Sequence, residues 1–521
     1  MTLEFLLYFF LFILLLLTLT KSSKHNKNST TSPLPPGPWK LPLIGNMHLL
    51  FGSLPHIALK NLSTKFGPLM YLKLGHVPTI IVSSSDVAKQ VMKTHDLTFA
   101  SRPPLLAAKI MSYESTDIAF APYGPYWREL RKICTLELLS AKRVQSFQSL
   151  RQEETLMLVR SIASCTGSPV NLTEKAYASA YSLTSRAAFG MKTKEHEAFV
   201  SLAQEGIEMA SGFDLADVYP SVKLLQVMSR TRWRLTKLHR EVDMILENII
   251  NKHKLDKTVN CSTRQDDLVD VLLKYQEGGQ ELPLTIDNIK AVILDVFSAG
   301  SETSATTVVW AMTEMLRDTR VLERAQEEVR RVFKDTGCVD ESHFDQLKYL
   351  KTVIKETLRL HPPLPLLLPR ECSQICNING YQIPLKARIM VNAWAIGRDP
   401  EQWGEDAESF KPERFLDASI DFIGNNFEFI PFGAGRRVCP GITFGLTNIE
   451  LQLAMFLYHF DWNLPDGIKP HELTMTETFG VTVKRKDDLM AVPTVKIPPS
   501  KFFECSNGSR FEFKLIYISV A

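Results

Sequence analysis

One cysteine, Cys439, stands in PFGAGRRVCPG (431–441) among three glycines, two prolines and two arginines. Glycine and proline break regular structure, so the stretch reads as a fixed loop. Arginines beside a thiol lower its pKa and favour the thiolate. The run GITFGLTNIELQLAMFLYHF (441–460) that follows reads as a helix. Cys439 therefore lies just before a positive helix end, which favours the thiolate further. The plain alternative is a surface turn with an incidental cysteine.

A second chemistry-bearing stretch is AGSETS (299–304). It lies in the middle of 286–317, a helical run apolar most of the way round, as expected of a buried central helix. Glycine, an acid and hydroxyls are costly there unless they are used. Gly300 would let a group approach the backbone. Thr303 and Ser304 can bond back to carbonyls and deform the helix locally. A tolerated kink is the competing reading. Glu356 and Arg359 are three apart and share a helix face. Alone, that pair is equally a surface ion pair worth under ~1 kcal/mol.

These residues need elements to position them. Residues 69–82 read as two strands around a turn at 75–78, and 84–94 as a capped helix. The stretch YWRELRKICTLELL (126–139) reads as a basic helix, with long helices following through Asn251 and a polar loop at 254–265. Residues 349–360 form an amphipathic helix, and HPPLPLLLPRE (361–371) a proline-stiffened apolar run. Short strands are expected at 382–383 and 388–393, and a loop at FKPERF (410–415).

The chain has 521 residues, 45% hydrophobic and 22% charged, enough for a large core around one site. A net charge of +3 is too small to suggest a nucleic-acid partner. The eight cysteines are scattered, unlike a secreted disulfide scaffold. Cys372 and Cys376 are the only close pair, with spacing loose for zinc. They read as thiols in or near a strand.

Residues 5–20, FLLYFFLFILLLLTLT, carry no charge. Counted from Leu3 they would span roughly 27 Å as a helix, close to the hydrocarbon thickness. Lys21, Lys24 and Lys27 follow, no basic residue precedes, and no small-residue cleavage site closes the run. An uncleaved anchor is expected at 1–20, with the lysines and the body on the cytosolic side. Unpaired thiols fit that placement. A basic and proline-rich linker (21–38, with SPLPPGP) leads to a body at 39–500. A tail at 501–521 has no assigned role.

Together these pieces resemble the cytochrome P450 haem-thiolate monooxygenases of the plant membrane-bound type. The loop fits the family's Phe-x-x-Gly-x-Arg-x-Cys-x-Gly pattern at Phe432, Gly435, Arg437, Cys439 and Gly441. The helix fits its Ala/Gly-Gly-x-Asp/Glu-Thr pattern at Ala299, Gly300, Glu302 and Thr303. Glu356, Arg359 and Arg414 fit its polar triad, and Trp127 and Arg131 its Trp-x-x-x-Arg. The order and spacing match over 33–499. Stretches such as LPPGPWKLPLIGN and YGPYWRELRKIC are similar to the terpenoid-oxidising subfamily that includes premnaspirodiene oxygenase and limonene hydroxylases. Only the tail departs from the pattern.

The resemblance implies a mainly α fold with small β-sheets after one transmembrane helix. It implies haem b, with Cys439 as the axial thiolate that pushes electron density toward O–O cleavage. Phe432, Gly435, Gly441, Ala299 and Gly300 would surround the haem. Arg437, Trp127, Arg131 and Arg370 would bind its propionates, and Arg102 is a further candidate. Glu302 and Thr303 would organise protons. NADPH would act only indirectly, through NADPH-cytochrome P450 reductase, with cytochrome b5 a second possible donor. Arg128, Lys132, Lys142, Arg143 and Arg436 would face the reductase, unless they are plain solvated charges.

The substrate would be O2 and a lipophilic small molecule, a terpenoid before an alkaloid or phenylpropanoid. Its contacts are expected from 104–119, 203–213, Ala299, 364–368 and 478–482, with Leu366, Leu367, Leu368, Phe479 and Val481 making a greasy pocket. The expected location is the endoplasmic reticulum membrane, single-pass, with the catalytic body cytosolic. A haem-binding sensor or carrier without turnover is the alternative of another class, and it would not need Glu302 and Thr303. A haem-thiolate isomerase or dehydratase would lack the threonine.

Overall fold

The structure, a computed structural model, describes residues 32–190, 196–210, 213–259, 266–277, 283–465, 467–478 and 480–499. The expected anchor and tail, and Phe479, lie outside the described residues. Among the described residues no helix is long and apolar enough to cross a membrane.

Helices dominate, with three small sheets among the described residues. Near the N-terminus α1 (Pro55–Phe66) precedes the strands β1 (Leu69–Leu74) and β2 (Val77–Val82). Then come α2 (Pro125–Ile133), α3 (Leu172–Phe189), α4 (Ile286–Arg317), α5 (Thr319–Val332) and α6 (Lys348–Leu360). The strands β3 (Arg370–Glu371) and β4 (Arg388–Val391) and the helix α7 (Ile442–His459) complete the frame. The largest sheet runs β1-β2-β4-β3. β1 and β2 form an antiparallel hairpin, whereas β4 lies parallel to β2, pairing Thr79 with Arg388 and Val82 with Val391.

Most element expectations hold, and the departures have local causes. The hairpin turn is tighter than expected: Gly75 takes φ +59°, and Pro78 lies inside β2, paired with Lys73. Ser84 stands at a helix N-cap position without a side-chain cap bond, and that helix ends at Lys89 in a wider π turn over Gln90–Thr94. A second π turn, Cys134–Leu138, follows α2. The polar stretch after residue 254 does not start a loop, because the helix Arg230–Val259 carries through its first residues. Cys134, Cys165, Cys372, Cys376 and Cys439 are free thiols, as expected, but Cys338 is disulfide-bonded.

α4 runs through the main core, packed on α3 and α7. Its start is written locally. The Thr285 hydroxyl accepts from the Asn288 amide, and the Asn288 side chain accepts from the Thr285 N–H, a reciprocal cap. α6 begins on a borrowed acid: both carboxylate oxygens of Glu328, on α5, accept from the Tyr349 and Leu350 amides at 2.8 and 2.9 Å.

Candidate active site

The cysteine loop is held as a closed turn. The Cys439 N–H donates to the Phe432 carbonyl at 3.0 Å, and Val438 N–H to Gly435 at 3.0 Å. Gly435 is required sterically. Its φ is +70°, and a Cβ there would stand 2.1 Å from the Met92 carbonyl oxygen. The same approach brings the loop to Asp96, which accepts from the Arg436 amide at 2.9 Å and from Arg370 at 3.3 Å. Phe432 packs on Phe422 with ring centroids 5.4 Å apart. Gly441 lies beside the sulfur, its Cβ position 3.9 Å from Cys439 Sγ.

Burial pushes the Cys439 thiol up, against the pull of the Gly441 backbone amide and the Arg131 charge. The loop's own arginines turn elsewhere. Arg437 donates to the Ala100 and Ala121 carbonyls at 2.7 and 2.6 Å, and the Arg436 side chain lies 3.6 Å from Asp96.

The N-terminal end of α7 carries the cysteine loop against α4. At Gly300 a Cβ would meet the Phe444 ring at 3.3 Å, and at Gly445 one would meet the Ser304 hydroxyl at 3.6 Å. The space at Gly300 is thus taken by helix packing. One step round the helix, Ala299 is exposed and Thr303 half-buried, though most of the neighbouring turns are buried. These two residues face open space in the middle of the molecule. Thr303 Oγ1 donates to the Ala299 carbonyl at 2.7 Å, and Thr307 in turn to the Thr303 carbonyl at 2.9 Å. The expected back-bonding is present, and α4 remains continuous through it.

Glu302 faces a different direction from Thr303. Its carboxylate is buried against α3, where Tyr181 donates to it at 2.6 Å, and Lys484 stands 3.8 Å away. Burial first, and then the Glu302 charge, push the Tyr181 phenol far up.

Around the loop, guanidinium groups crowd together. Arg102 donates to the Ala119, Leu368 and Pro369 carbonyls at 2.9, 2.8 and 2.8 Å. Arg370 donates to the Ala434 carbonyl at 2.7 Å. Trp127 donates to the Ile118 carbonyl at 2.9 Å while Arg437 stacks on its ring at 4.0 Å. Burial and then mutual repulsion with Arg370 lower Arg437 to about 9, and burial followed by Arg437 and Arg370 lowers Arg102. Arg131 is half-buried beside Cys439.

A second network has the buried pair Glu356 and Arg359 at its centre. Arg359 forks onto both oxygens of Glu356 at 2.7 Å each and also donates to the Gly397, Ala407 and Ser409 carbonyls. Arg414 adds to Glu356 at 3.3 Å and donates to the Trp403 carbonyl at 2.9 Å. The Lys411 amide completes the set at 2.7 Å.

The sequence model of the cytochrome P450 family matches residues 35–490, most of the chain. The chain belongs to the cytochrome P450 family. Salviol synthase of Salvia pomifera is 57% identical over 464 residues, covering 89% of this chain and 92% of that protein. Premnaspirodiene oxygenase of Hyoscyamus muticus is 55% identical, covering 88% and 92%. Desmethyl-deoxy-podophyllotoxin synthase of Sinopodophyllum hexandrum is 55% identical, covering 89% and 92%. A zebra fish cytochrome P450 solved with abiraterone superposes with a TM-score of 0.72 at 25% identity, covering 85% of this chain and all of that one.

As a cytochrome P450 this chain is a haem-thiolate monooxygenase, an oxidoreductase with the family's mainly helical fold and small sheets. The residues present fit the haem. Cys439, its sulfur beside the Gly441 amide, stands in the loop that leads into α7, and α7 packs on α4 next to the helix face left open at Ala299 and Thr303. Arg102, Arg370 and Arg437 crowd one another in the interior, and an anionic ligand with two carboxylates would relieve that repulsion.

Sequence reasoning missed Asp96, which ties the cysteine loop to Arg370 across 340 and 274 positions. It also missed the neighbouring acids Asp117 and Asp295. Asp295 accepts from the Ile118 and Ala119 amides at 3.1 Å each, and burial pushes it well up. Neither has a local spacing signal. Among the charges expected to face a reductase, Arg128, Lys132, Lys142 and Arg436 are exposed. Arg143 is instead turned inward onto the Glu137 and Asp266 carbonyls.

An apolar cavity is lined by Leu105, Ala210, Phe213, the run 365–368 and Val481, from the stretches where substrate contacts were expected, and by Phe120 and Pro369 just beyond them. Leu54, His56 and Met390 also line it and were not foreseen; Ala299 is not among its walls.

Proposed function

We propose that this cytochrome P450 is a membrane-anchored monooxygenase that hydroxylates or epoxidises a lipophilic plant metabolite. A terpenoid is the preferred class, by likeness to salviol synthase and premnaspirodiene oxygenase. The lignan-related name of a third relative keeps phenylpropanoid-derived substrates in the test panel. The observation that carries the reading is the open face of α4 at Ala299 and Thr303, next to Gly300 and Ser304 where α7, running on from the cysteine loop, packs against it.

Bound haem supplies the reductive activation of O2. The protein's residues supply everything else. Cys439 would ligate the iron, with the Gly441 amide directed at its sulfur. Arg437, Arg370, Trp127 and Arg131 would fix the propionates, with Arg102 behind them. Thr303 spends its hydroxyl proton on the Ala299 carbonyl, so its oxygen lone pairs remain to accept from a water in the cleft. Glu302 would exchange protons with solvent from its place beside Tyr181 and Lys484. Leu366, Leu367 and Val481 would exclude water from the substrate.

Electrons would come one at a time from NADPH through NADPH-cytochrome P450 reductase, with cytochrome b5 as an accessory donor. The exposed Arg128, Lys132, Lys142 and Arg436 offer a basic face for an acidic flavoprotein. Residues 1–20 would anchor the chain in the endoplasmic reticulum, with the body at 39–500 in the cytosol. The test is microsomal protein with reductase, NADPH and air, given a panel of terpenes and phenylpropanoids. A product heavier by one oxygen atom is expected. Haem-replete protein that consumes no NADPH in response to any member would favour a non-catalytic haem carrier.

A further inference from the structure

Behind the apolar cavity lies a buried chain of ionisable side chains that the mechanism above does not use. His56, on the first turn of α1, meets Glu477 at 2.8 Å. His361, just past the end of α6, meets Glu314 of α4 at 2.7 Å through Nε2. Its Nδ1 lies 4.0 Å from the other oxygen of Glu477. All four side chains are less than a tenth exposed. His56 packs on Trp394 with centroids 5.0 Å apart, and His361 stacks on Trp310 at 4.0 Å with the rings 3° from parallel. Burial would raise the Glu477 carboxyl, but the neighbouring His361 and the hydrogen-bonded His56 outweigh it and hold it at about 2. It is therefore an anion in the interior, placed between two imidazoles.

The position of these groups along the chain gives them meaning. His56 itself lines the cavity beside Leu54 and Pro55. His361 stands four residues before Pro365, where a second wall begins. Glu477 stands three residues before Gly480, where a third begins. The third wall is the tip of a hairpin closed by the Glu477–Arg485 bridge and by Thr478 N–H to the Lys484 carbonyl at 2.9 Å. Arg485 fastens the hairpin base to α4 through Thr313 at 2.9 Å. The Val483 amide reaches across to the Pro363 carbonyl at 2.9 Å. Three walls from distant parts of the sequence thus meet at one carboxylate.

We propose that Glu477 is a positioning residue that sets the shape of the cavity, and so which lipophilic molecules fit, by tying together the walls at His56, His361 and its own hairpin. The inference rests on reading that cavity as the substrate site. Without Glu477 the hairpin loses its tie to the His56 wall and keeps only the Val483–Pro363 and Arg485–Thr313 bonds, so its tip can shift relative to that wall. Bulky ligands that touch all three walls then lose contacts, while a ligand small enough to reach only the haem does not.

Spectral titration of the haem with two nitrogen ligands separates these cases: imidazole, which is small, and clotrimazole, a bulky triaryl azole. In Glu477→Ala, clotrimazole affinity is expected to fall about tenfold, with imidazole affinity unchanged within about twofold and the thiolate-type carbonyl spectrum retained. Glu477→Gln, which keeps the volume and one hydrogen bond, should show the same selectivity with a smaller loss. Unchanged clotrimazole affinity overturns the proposal. So does an equal loss for both ligands, because that marks general support of the fold. If Glu477→Ala does not hold haem, Glu477→Gln decides by the same criterion. Absence of the thiolate-type spectrum in the native protein would overturn the monooxygenase reading and this proposal together, and is told apart by appearing before any substitution.

Discussion

At the scale of single residues, Cys439 and Thr303 carry the sharpest expectations. Only a thiolate donates strongly to haem iron. Cys439→His should therefore lose the thiolate-type absorption of the reduced carbonyl complex, and an unchanged spectrum would remove Cys439 as ligand. Thr303→Ala leaves the ligand, the arginines and the exposed basic face untouched. It should keep its haem spectrum and still consume NADPH and O2, yet give less product per NADPH and release more hydrogen peroxide. Thr303→Ser should fall between, its hydroxyl being less restricted in rotamer. Equal falls in product and NADPH use would leave Thr303 a helix-packing residue. Both residues were legible in the sequence because glycine, acid and hydroxyl stand out against an apolar helix, and cysteine against a glycine loop. Asp96 and Glu477 were not legible. Their partners lie hundreds of positions away, and a lone acid in a loop has no spacing to read.

At the scale of elements, α4 was readable to its ends because a long run apolar most of the way round, free of proline, leaves only one boundary at each side. The π turns after Lys89 and Ile133 were not, since one extra residue in a turn hardly disturbs helical periodicity. The Glu356–Arg359 pair shows the limit of local reading most clearly. Its spacing fits a surface pair, yet both residues are at most 1% exposed. Removing one partner strands the other in the core, so Glu356→Ala should cost about 3–5 kcal/mol. Thermal unfolding of the haem-loaded protein would report it, and a change below 1 kcal/mol (within the usual range for a surface pair) would contradict the buried network. Gly435→Ala forces a side chain onto the Met92 carbonyl at positive φ. Backbone strain alone costs roughly 1–3 kcal/mol there, and haem content after expression should fall. Normal haem content would mean that the loop can move away from Met92.

At the scale of the whole molecule, two stretches carry exposed apolar side chains. One includes Trp39, Leu43 and Phe51, the other Leu224, Val227, Met228 and Trp233. Tyr219, just before the second, donates to the Leu43 carbonyl of the first at 3.4 Å. Deleting residues 1–20 should therefore weaken membrane association without abolishing it, and the truncated protein should still bind haem. Flotation with lipid vesicles and the carbonyl spectrum measure the two outcomes separately; a truncated protein unable to take up haem would show that the segment is no separable tether. The buried arginine network has a consequence of another kind, in the order of events during synthesis. Arg359 donates to the carbonyls of Gly397, Ala407 and Ser409, between 38 and 50 positions further along the chain. On the ribosome α6 emerges with Arg359 already beside Glu356 but without its carbonyl acceptors, which follow only after about 2–10 s at ordinary elongation rates. The half-made protein must hold this ion pair in water until the segment 397–414 arrives to enclose it. The cysteine loop emerges later still, so haem can be captured only by a chain whose arginine lock has had time to close.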